Sequence, residues 1–337
     1  MHLADSLISP VVAGTMYVAS GLMTAYSIHK LRKEDDLKRK IPTMGVMGAF
    51  VFATQMINFT IPGTGASGHL CGGLLLTSIL GPYAGFLSMI GVLLIQCLFF
   101  ADGGLISLGA NIWNMAFYGC FLGSLIWKAF TNKNISKKKI IAFSLIGSVL
   151  ALQLGAFSVT IETLLSGITE LPFKTFISLM LPIHLIIGIV EGLITSAVLC
   201  FIYDARPELL WNPNNTEHKA NKMSYKKLIL ILSCLLIIIS GAVSLIASSN
   251  PDGLEWSIQK ITGETELDEK EDDIYQKANK IQESTAILPD YSLKNNETQA
   301  GTSISGIVGC IITFGVLFGV GYIIKLSRKK EKVNEQN

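Results

Sequence analysis

The stretch GLLLTSILGPYAGFLSMIGVLLIQCLFF, residues 73–100, decides how the chain is threaded through a membrane. It is apolar and long enough to form a single helix. The pair Gly81-Pro82 indicates a break instead, because proline disrupts a helix interior and restrains the residue before it. With a break the stretch makes two passes. The first would have only about a dozen residues where a full span needs about 20, which is tolerated where the segment lines a protein-enclosed cavity.

The whole sequence has the composition of a helical membrane protein. Of its 337 residues, 50% are hydrophobic and only 15% are charged, whereas soluble domains carry roughly 25% charged residues. The shortage of charge is concentrated in long apolar runs, which predicts an all-α, polytopic membrane protein. The runs lie near residues 10–29, 41–60, 70–82, 85–100, 106–127, 140–163, 177–203, 227–247 and 303–325.

Four basic clusters between these runs predict the topology. They lie at residues 30–40, 128–139, 206–227 and after residue 325. The positive-inside rule places all four in the cytoplasm. A single pass over residues 73–100 would leave the first two clusters on opposite faces of the membrane. Two passes place both clusters in the cytoplasm, as the rule requires. We therefore predict nine passes, with the N-terminus outside and the C-terminus in the cytoplasm.

The spacing of the passes divides the chain into three parts. Seven predicted passes form a membrane domain over residues 1–205, and a polar, basic stretch forms a cytoplasmic linker over residues 206–226. Residues 227–337 hold two more helices around an outside loop of about 55 residues. This loop contains the acidic run ETELDEKEDD, so we expect a solvated, partly disordered segment whose charge alone supports no binding function.

Motifs for common chemistries are missing from the sequence. It has no phosphate-binding G-x-x-x-x-G-K-[ST], no H-E-x-x-H and no G-x-S-x-G, so we expect a chain that is not an enzyme and does not itself bind ATP. The cysteines are scattered without any C-x-x-C, which indicates packing residues rather than disulfides or a thiolate site. They are Cys71, Cys97, Cys120, Cys200, Cys234 and Cys310.

The opening MHLADSLISP carries a possible chelating group. Its first basic residue, Lys30, lies beyond the first apolar run, so the opening does not look like a signal peptide and we expect mature sequence. The amine of Met1, the deprotonated amide nitrogen of His2 and its Nδ1 atom can close two fused chelate rings on one metal. Such planar nitrogen coordination suits Ni(II), Cu(II) and low-spin Co(II) better than Zn(II) or Mg(II). The alternative is an exposed His2 with no ligand.

A glycine-rich loop supplies a second histidine on the same predicted face. The stretch MINFTIPGTGASGHLCGGLL, residues 56–75, lies between two apolar runs and contains His69. Its glycines permit unusual backbone angles and close approach. His69 could therefore supply a fourth nitrogen to the metal. The alternative is a histidine that only packs the loop.

Three further polar residues are candidates for supporting roles. His184 and Glu191 are two helical turns apart and so share nearly one helix face. They could gate the site, orient its ligands or contact a partner, or form a paired polar contact that only fixes helix packing. Asn58 could hydrogen-bond the loop backbone or a ligating imidazole, or simply pack.

Several motifs, in order, resemble a known family. The opening MHLADSLISP and the runs NFTIPGTGASGHLCGGLL, GPYAGFL, FFADGGL and HLIIGIVEGLIT are similar to the M component (CbiM/NikM type) of cobalt/nickel energy-coupling factor (ECF) transporters. This similarity covers about residues 1–205. The run PDGLEWS, residues 251–257, resembles the signature of the N-type accessory component. The chain therefore looks like a fused M–N protein.

The resemblance implies a function, a site and partners. It implies a substrate-capturing subunit, with the membrane fold of an ECF S component, for uptake of Ni²⁺ or Co²⁺ across the plasma membrane of a prokaryote. The metal would be held by the amine of Met1, the amide and imidazole nitrogens of His2, and His69. Transport would require a separate transmembrane coupling (T/Q-type) subunit and ATPase (A/O-type) subunits. No nucleic-acid partner is implied.

Two other classes of function stay open at this level. A membrane metal sensor or receptor without transport would share the site but would need an output domain, and no predicted cytoplasmic segment exceeds about 25 residues. An intramembrane enzyme using His184 and Glu191 has no supporting motif. Nickel and cobalt share these ligand preferences, so the sequence does not distinguish between them.

Overall fold

The computed structural model describes residues 1–132, 134–212, 224–268, 272–292 and 299–334, and most of the described chain is helical. This confirms the predicted all-α class. The longer elements are α1 (Pro10–Lys33), α2 (Leu37–Gln55), α3 (Gly73–Leu80), α4 (Pro82–Phe100), α5 (Leu108–Asn111), a π-helical segment (Ile112–Leu122), α6 (Gly123–Thr131), α7 (Lys137–Ser166), α8 (Phe173–Ala205), α9 (Tyr225–Gly241), α10 (Gly253–Thr262), α11 (Asp273–Thr285) and α12 (Gln299–Asn334). Within the described ranges, the strands are β1 (Phe59–Ile61) and β2 (Ala66–Gly68), paired antiparallel.

The predicted break in residues 73–100 is present. Helix α3 ends at Leu80, and Gly81 adopts φ = 81°, a left-handed value that a residue with a Cβ rarely takes. Helix α4 begins at Pro82, whose fixed φ and missing N–H suit the first helical position. The two residues therefore both stop one helix and start the next.

Several helices are suited to cross a bilayer. In the described ranges, five are long and apolar enough: Pro10–Lys33, Pro82–Phe100, Lys137–Ser166, Phe173–Ala205 and Gly301–Arg328. The protein is a multi-pass membrane protein. The number of passes and the side on which each terminus lies stay predictions.

Two glycines let the short helix α3 approach the π-helical segment at backbone contact. A Cβ built on Gly73 would lie 2.9 Å from the Cα of Gly119, and one on Gly119 would lie 2.8 Å from the Cα of Gly73. Small residues of this kind allow close packing of helices in membranes. The contact fixes α3 in the centre of the bundle, directly after the glycine-rich loop.

The two C-terminal helices pack on the rest of the bundle. Helix α12 lies along α2, where the thiol of Cys310 donates to the carbonyl of Ala49 at 3.5 Å. Farther along α12, Arg328 donates to the carbonyl of Glu34 at 2.6 Å. Residues 213–223 of the predicted linker lie outside the described residues.

Residues 1–9, the β1–β2 hairpin, α10 and α11 lie together at one end of the bundle, which we name the site end. The amide of Ser67 in the hairpin donates to the carbonyl of Pro251 at 2.8 Å, and the indole N–H of Trp256 donates to Thr64 at 3.0 Å. Tyr275 of α11 donates to the carbonyl of Ile8 at 2.8 Å. The interpretation of this loop as a solvated, partly disordered segment is therefore wrong for α10 and α11, because their side chains pack against the bundle.

We expect Gly119→Ala to destabilise the protein, since the new methyl group meets the backbone of Gly73. Overpacking of this kind costs about 1–3 kcal/mol. Gly14→Ala in α1 is the matched control, because a Cβ added at Gly14 would have no atom within 4 Å. Thermal unfolding in detergent should show a lower midpoint for Gly119→Ala only; equal midpoints would contradict the packing described.

Candidate functional site

The N-terminal segment is pinned to α5 and to the loop before it. The amide of Leu3 donates to Oδ1 of Asn111 at 2.7 Å, and Nδ2 of Asn111 donates to the carbonyl of Leu3 at 3.1 Å. The carboxylate of Asp5 accepts from the amides of Ile106 at 3.0 Å and Ser107 at 2.8 Å. These contacts direct the first two residues into the interior of the site end.

The N-terminal amine lies between a histidine and an aspartate. The nitrogen of Met1 is 2.8 Å from Nε2 of His69 and 2.6 Å from Oδ2 of Asp252. The same two side-chain atoms of His69 and Asp252 are 3.8 Å apart. Both Met1 and His69 are buried. The structure thus brings together two of the sequence-predicted site residues and adds a third that the sequence analysis missed.

His2 is partly buried beside this cluster, with its side chain 8% exposed, but it faces other partners. Its Nδ1 atom is 3.0 Å from Oδ1 of Asp102, and its Nε2 atom is 3.3 Å from Oε1 of Gln96. Its ring stacks on that of His69 with centroids 5.3 Å apart. The hydroxyl of Tyr291 donates to Oδ2 of Asp102 at 2.5 Å. Nδ1 of His2, which the sequence places in a chelate with the amine, is therefore engaged by Asp102 in this structure.

Glu191 holds the end of the glycine-rich loop. Its two carboxylate oxygens accept from the amides of Cys71 at 2.8 Å and Gly72 at 3.0 Å. On the other side of His69, the β1–β2 hairpin fixes the chain through the pairing of Phe59 with Gly68. The backbone on both sides of His69 is thereby held in place.

His184 and Asn58 lie close to the site but do not pair with Glu191. Nδ1 of His184 bonds to the carbonyl of Met180 at 2.8 Å, and its buried Nε2 atom has no hydrogen-bond partner within the described ranges. His184 lines a small cavity of about 10 Å³ together with Met1, His69 and Asp252. The carbonyl of Asn58 accepts from the amide of Ser248 at 2.8 Å, which ties the loop to the segment before α10.

Asp252 is positioned by the start of helix α10. Its Oδ1 atom accepts from the amides of Leu254 at 2.7 Å and Glu255 at 3.0 Å, and Glu255 accepts in return from the amide of Asp252 at 2.8 Å. This capping box leaves Oδ2 free to contact the amine. The spacing D-x-x-E within PDGLE was a readable signal for the helix start, but not for the contact with Met1.

The charges of the cluster follow from burial and proximity. Burial, together with the nearby positive amine and His2, lowers the pKa of His69 well below its ordinary value, so its imidazole is neutral at neutral pH. Burial works against ionisation of Asp252, yet the nearby amine, through its charge and its hydrogen bond, holds the pKa of the carboxyl below the ordinary value. The cluster therefore offers a neutral imidazole and an ionised carboxylate.

An open cavity leads to the cluster. It has a volume of about 340 Å³, and its walls include His2, His69, Asp102, Asp252 and Tyr291. We call it the vestibule. Burial and the nearby Asp252 raise the pKa of Glu255, on its wall, to about 7. An acid-lined route of this kind suits the approach of a cation.

Comparison with known proteins identifies the family. The family profile described as "CbiM: Cobalt uptake substrate-specific transmembrane region" matches residues 2–209. The chain belongs to this family. A second profile, "PDGLE domain", matches residues 226–326 of this CbiM-family chain.

Some similar proteins align with most of the chain, and others align with part of it. The "Putative fused nickel transport protein NikMN" of Archaeoglobus fulgidus is 35% identical and is aligned over 95% of this chain and 98% of its own length. The "Cobalt transport protein CbiM" of Sorangium cellulosum is 30% identical over 62% of this chain and 94% of its own length. A crystal structure of a truncated transition metal transporter superposes with a TM-score of 0.53 and 31% identity, covering 60% of this chain and 98% of that one. These proteins are transport proteins rather than enzymes.

We expect Glu191→Leu to destabilise the protein more than Glu191→Gln. The leucine leaves the amides of Cys71 and Gly72 without their acceptor, at a cost of about 1–3 kcal/mol for each buried group, whereas the glutamine keeps one oxygen. The exposed Glu170→Leu is the control. The thermal unfolding midpoint should be highest for the control, lower for Glu191→Gln and lowest for Glu191→Leu. A leucine variant as stable as the control would contradict this anchoring.

Proposed function

We propose that this chain is the substrate-capturing subunit of a transporter that takes up Ni²⁺ or Co²⁺. The ion is bound by the amine of Met1, the amide and imidazole nitrogens of His2, and Nε2 of His69. Nitrogen-rich coordination of this kind suits nickel and cobalt better than magnesium or zinc. The names of the relatives, which include both nickel and cobalt transport proteins, support this class of substrate.

One observation carries the proposal. The amine of Met1 lies 2.8 Å from Nε2 of a buried His69, although the two residues are 68 positions apart. The lowered pKa of His69 leaves its lone pair available at neutral pH. His2 is stacked on that ring, and the vestibule is lined by both His2 and His69. Binding at Nδ1 of His2 then requires the imidazole to leave Asp102.

The proposal includes partners and an orientation. Uptake depends on a separate coupling subunit and on ATPase subunits, since this sequence has no phosphate-binding loop of its own. The site end faces outward and the basic clusters face the cytoplasm, in accordance with the positive-inside rule. Residues 1–205 form the metal-binding unit, 206–226 the linker, and 227–337 an accessory segment that contacts the site through Asp252 and Tyr291.

We expect His2→Ala, His69→Ala and the addition of one residue before Met1 each to weaken binding of Ni²⁺ and Co²⁺ by at least about tenfold. Each change removes or displaces a nitrogen donor, and even changes to residues that merely orient ligands cost 10–100-fold. His29→Ala, beside the first basic cluster, is the control. Equilibrium dialysis of the purified protein measures the affinities; three variants that bind like the parent would refute the site.

Uptake of radioactive nickel distinguishes a transporter from a sensor. Cells that produce this chain with its coupling and ATPase partners should accumulate the ion, and cells with an inactive ATPase should not. The His69→Ala variant should abolish accumulation in the complete system. Binding without any partner-dependent accumulation would support the sensor function instead.

A further inference from the structure

The N-terminal amine and the two side-chain atoms beside it have the spacing of metal donors. The amine nitrogen of Met1 is 2.8 Å from Nε2 of His69 and 2.6 Å from Oδ2 of Asp252, and the last two atoms are 3.8 Å apart. These lengths make a nearly right-angled triangle with its right angle at the amine. The midpoint of its longest side therefore lies about 1.9 Å from all three atoms, close to the metal–nitrogen and metal–oxygen distances of about 2.0–2.2 Å found in proteins.

The arrangement also fits the geometry of a tetragonal metal site. Two neighbouring donors of a square plane subtend a right angle at the metal and two opposite donors lie on a straight line through it. Here the amine neighbours both other donors, while His69 and Asp252 lie opposite each other. Mixed nitrogen and oxygen donors in such a plane are typical of Ni(II) and Cu(II).

Asp252 has the chemical state that a donor needs. Its Oδ1 atom is fixed by the amides of Leu254 and Glu255, so the direction of Oδ2 is set before any ion arrives. Its carboxylate supplies negative charge to a divalent ion in a buried place. The amine binds as the neutral base, so its proton is released to the vestibule when the ion takes its place.

From this geometry we infer that Asp252 of the PDGLE segment is itself a metal donor, and that the ion is first received by the amine of Met1, Nε2 of His69 and Oδ2 of Asp252. The inference rests on the proposed function, which assigns the amine and His69 to the metal. It adds a ligand from the C-terminal part of the chain. It also gives that part a direct role in capturing the ion.

The position of His2 is consistent with a separate receiving arrangement. Its Nδ1 atom is engaged by Asp102, which in turn is held by Tyr291 of the C-terminal segment. Asp252 therefore occupies the position opposite His69 while the imidazole of His2 is held aside, and Nδ1 of His2 binds the ion only after the imidazole leaves Asp102.

The first experiment replaces the carboxylate without disturbing its helix. Asparagine caps a helix as well as aspartate does, so Asp252→Asn preserves the start of α10 but removes the charged donor atom. We expect the dissociation constant for Ni²⁺ to rise at least about tenfold. Asp273→Asn is the matched control, because this exposed carboxylate lies in the same segment and pairs only with Lys277 at 3.0 Å among the contacts described. Unchanged or tighter binding by Asp252→Asn would overturn the inference.

The second experiment tests direct contact with the metal. A thiolate bonded to Co²⁺ gives a near-ultraviolet charge-transfer band, which a nearby but unbonded thiol does not give. We expect the band, measured as a difference from the parent protein with Co²⁺, in Asp252→Cys and in His69→Cys, and no band in Asp273→Cys. Thermal unfolding of each variant verifies that it is folded.

The outcomes separate the inference from the function on which it rests. A band in His69→Cys with none in a folded Asp252→Cys overturns the role of Asp252 and leaves the proposed site standing. No band in either folded variant refutes the proposed site as well. Bands in both, with weaker binding by Asp252→Asn, establish Asp252 as a ligand.

Discussion

The buried N-terminal amine is the contact on which the rest of the site depends. Residues 1, 69 and 252 meet at this nitrogen, with Nε2 of His69 at 2.8 Å and Oδ2 of Asp252 at 2.6 Å. A buried charge is costly unless it is paired and hydrogen-bonded, so the amine requires both neighbours. Because they come from the glycine-rich loop and from the start of α10, this three-residue cluster forms only when the N-terminus, the loop and the C-terminal segment are packed together.

Features that depend on neighbouring residues were predictable from the sequence. Gly81-Pro82 predicts a helix break from backbone sterics alone, and the structure has it. The apolar runs likewise predict the helices from local sequence, since each run carries its own hydrophobic signal. Predicting that His69 lies near Met1 required two further arguments. One was the placement of both residues on the same face of the membrane, and the other was the family resemblance of their motifs.

Features that depend on distant contacts were not predictable. The acidic run after α10 suggested a solvated loop, because charge density indicates disorder but carries no information about neighbouring surfaces. The capping box of Asp252 and Glu255 marks a helix start, yet nothing local shows that the other carboxylate oxygen meets the N-terminus. Nothing local marks Asp102 of the run FFADGGL either, since its contact with His2 arises only once the N-terminal segment is pinned by Asn111.

The C-terminal segment touches both halves of the proposed chelating group, which has a consequence for affinity. It binds the amine through Asp252 and steadies Asp102, the partner of His2, through Tyr291. A ligand shifts an equilibrium only by the difference in its affinity for the two states, so the free energy of metal binding is what the metal donors contribute, Asp252 included, minus what these contacts contribute in the free protein. A subunit that must both capture an ion and release it benefits from such competition. In the proposed site, the fused segment therefore influences how tightly the amine and His2 hold an ion.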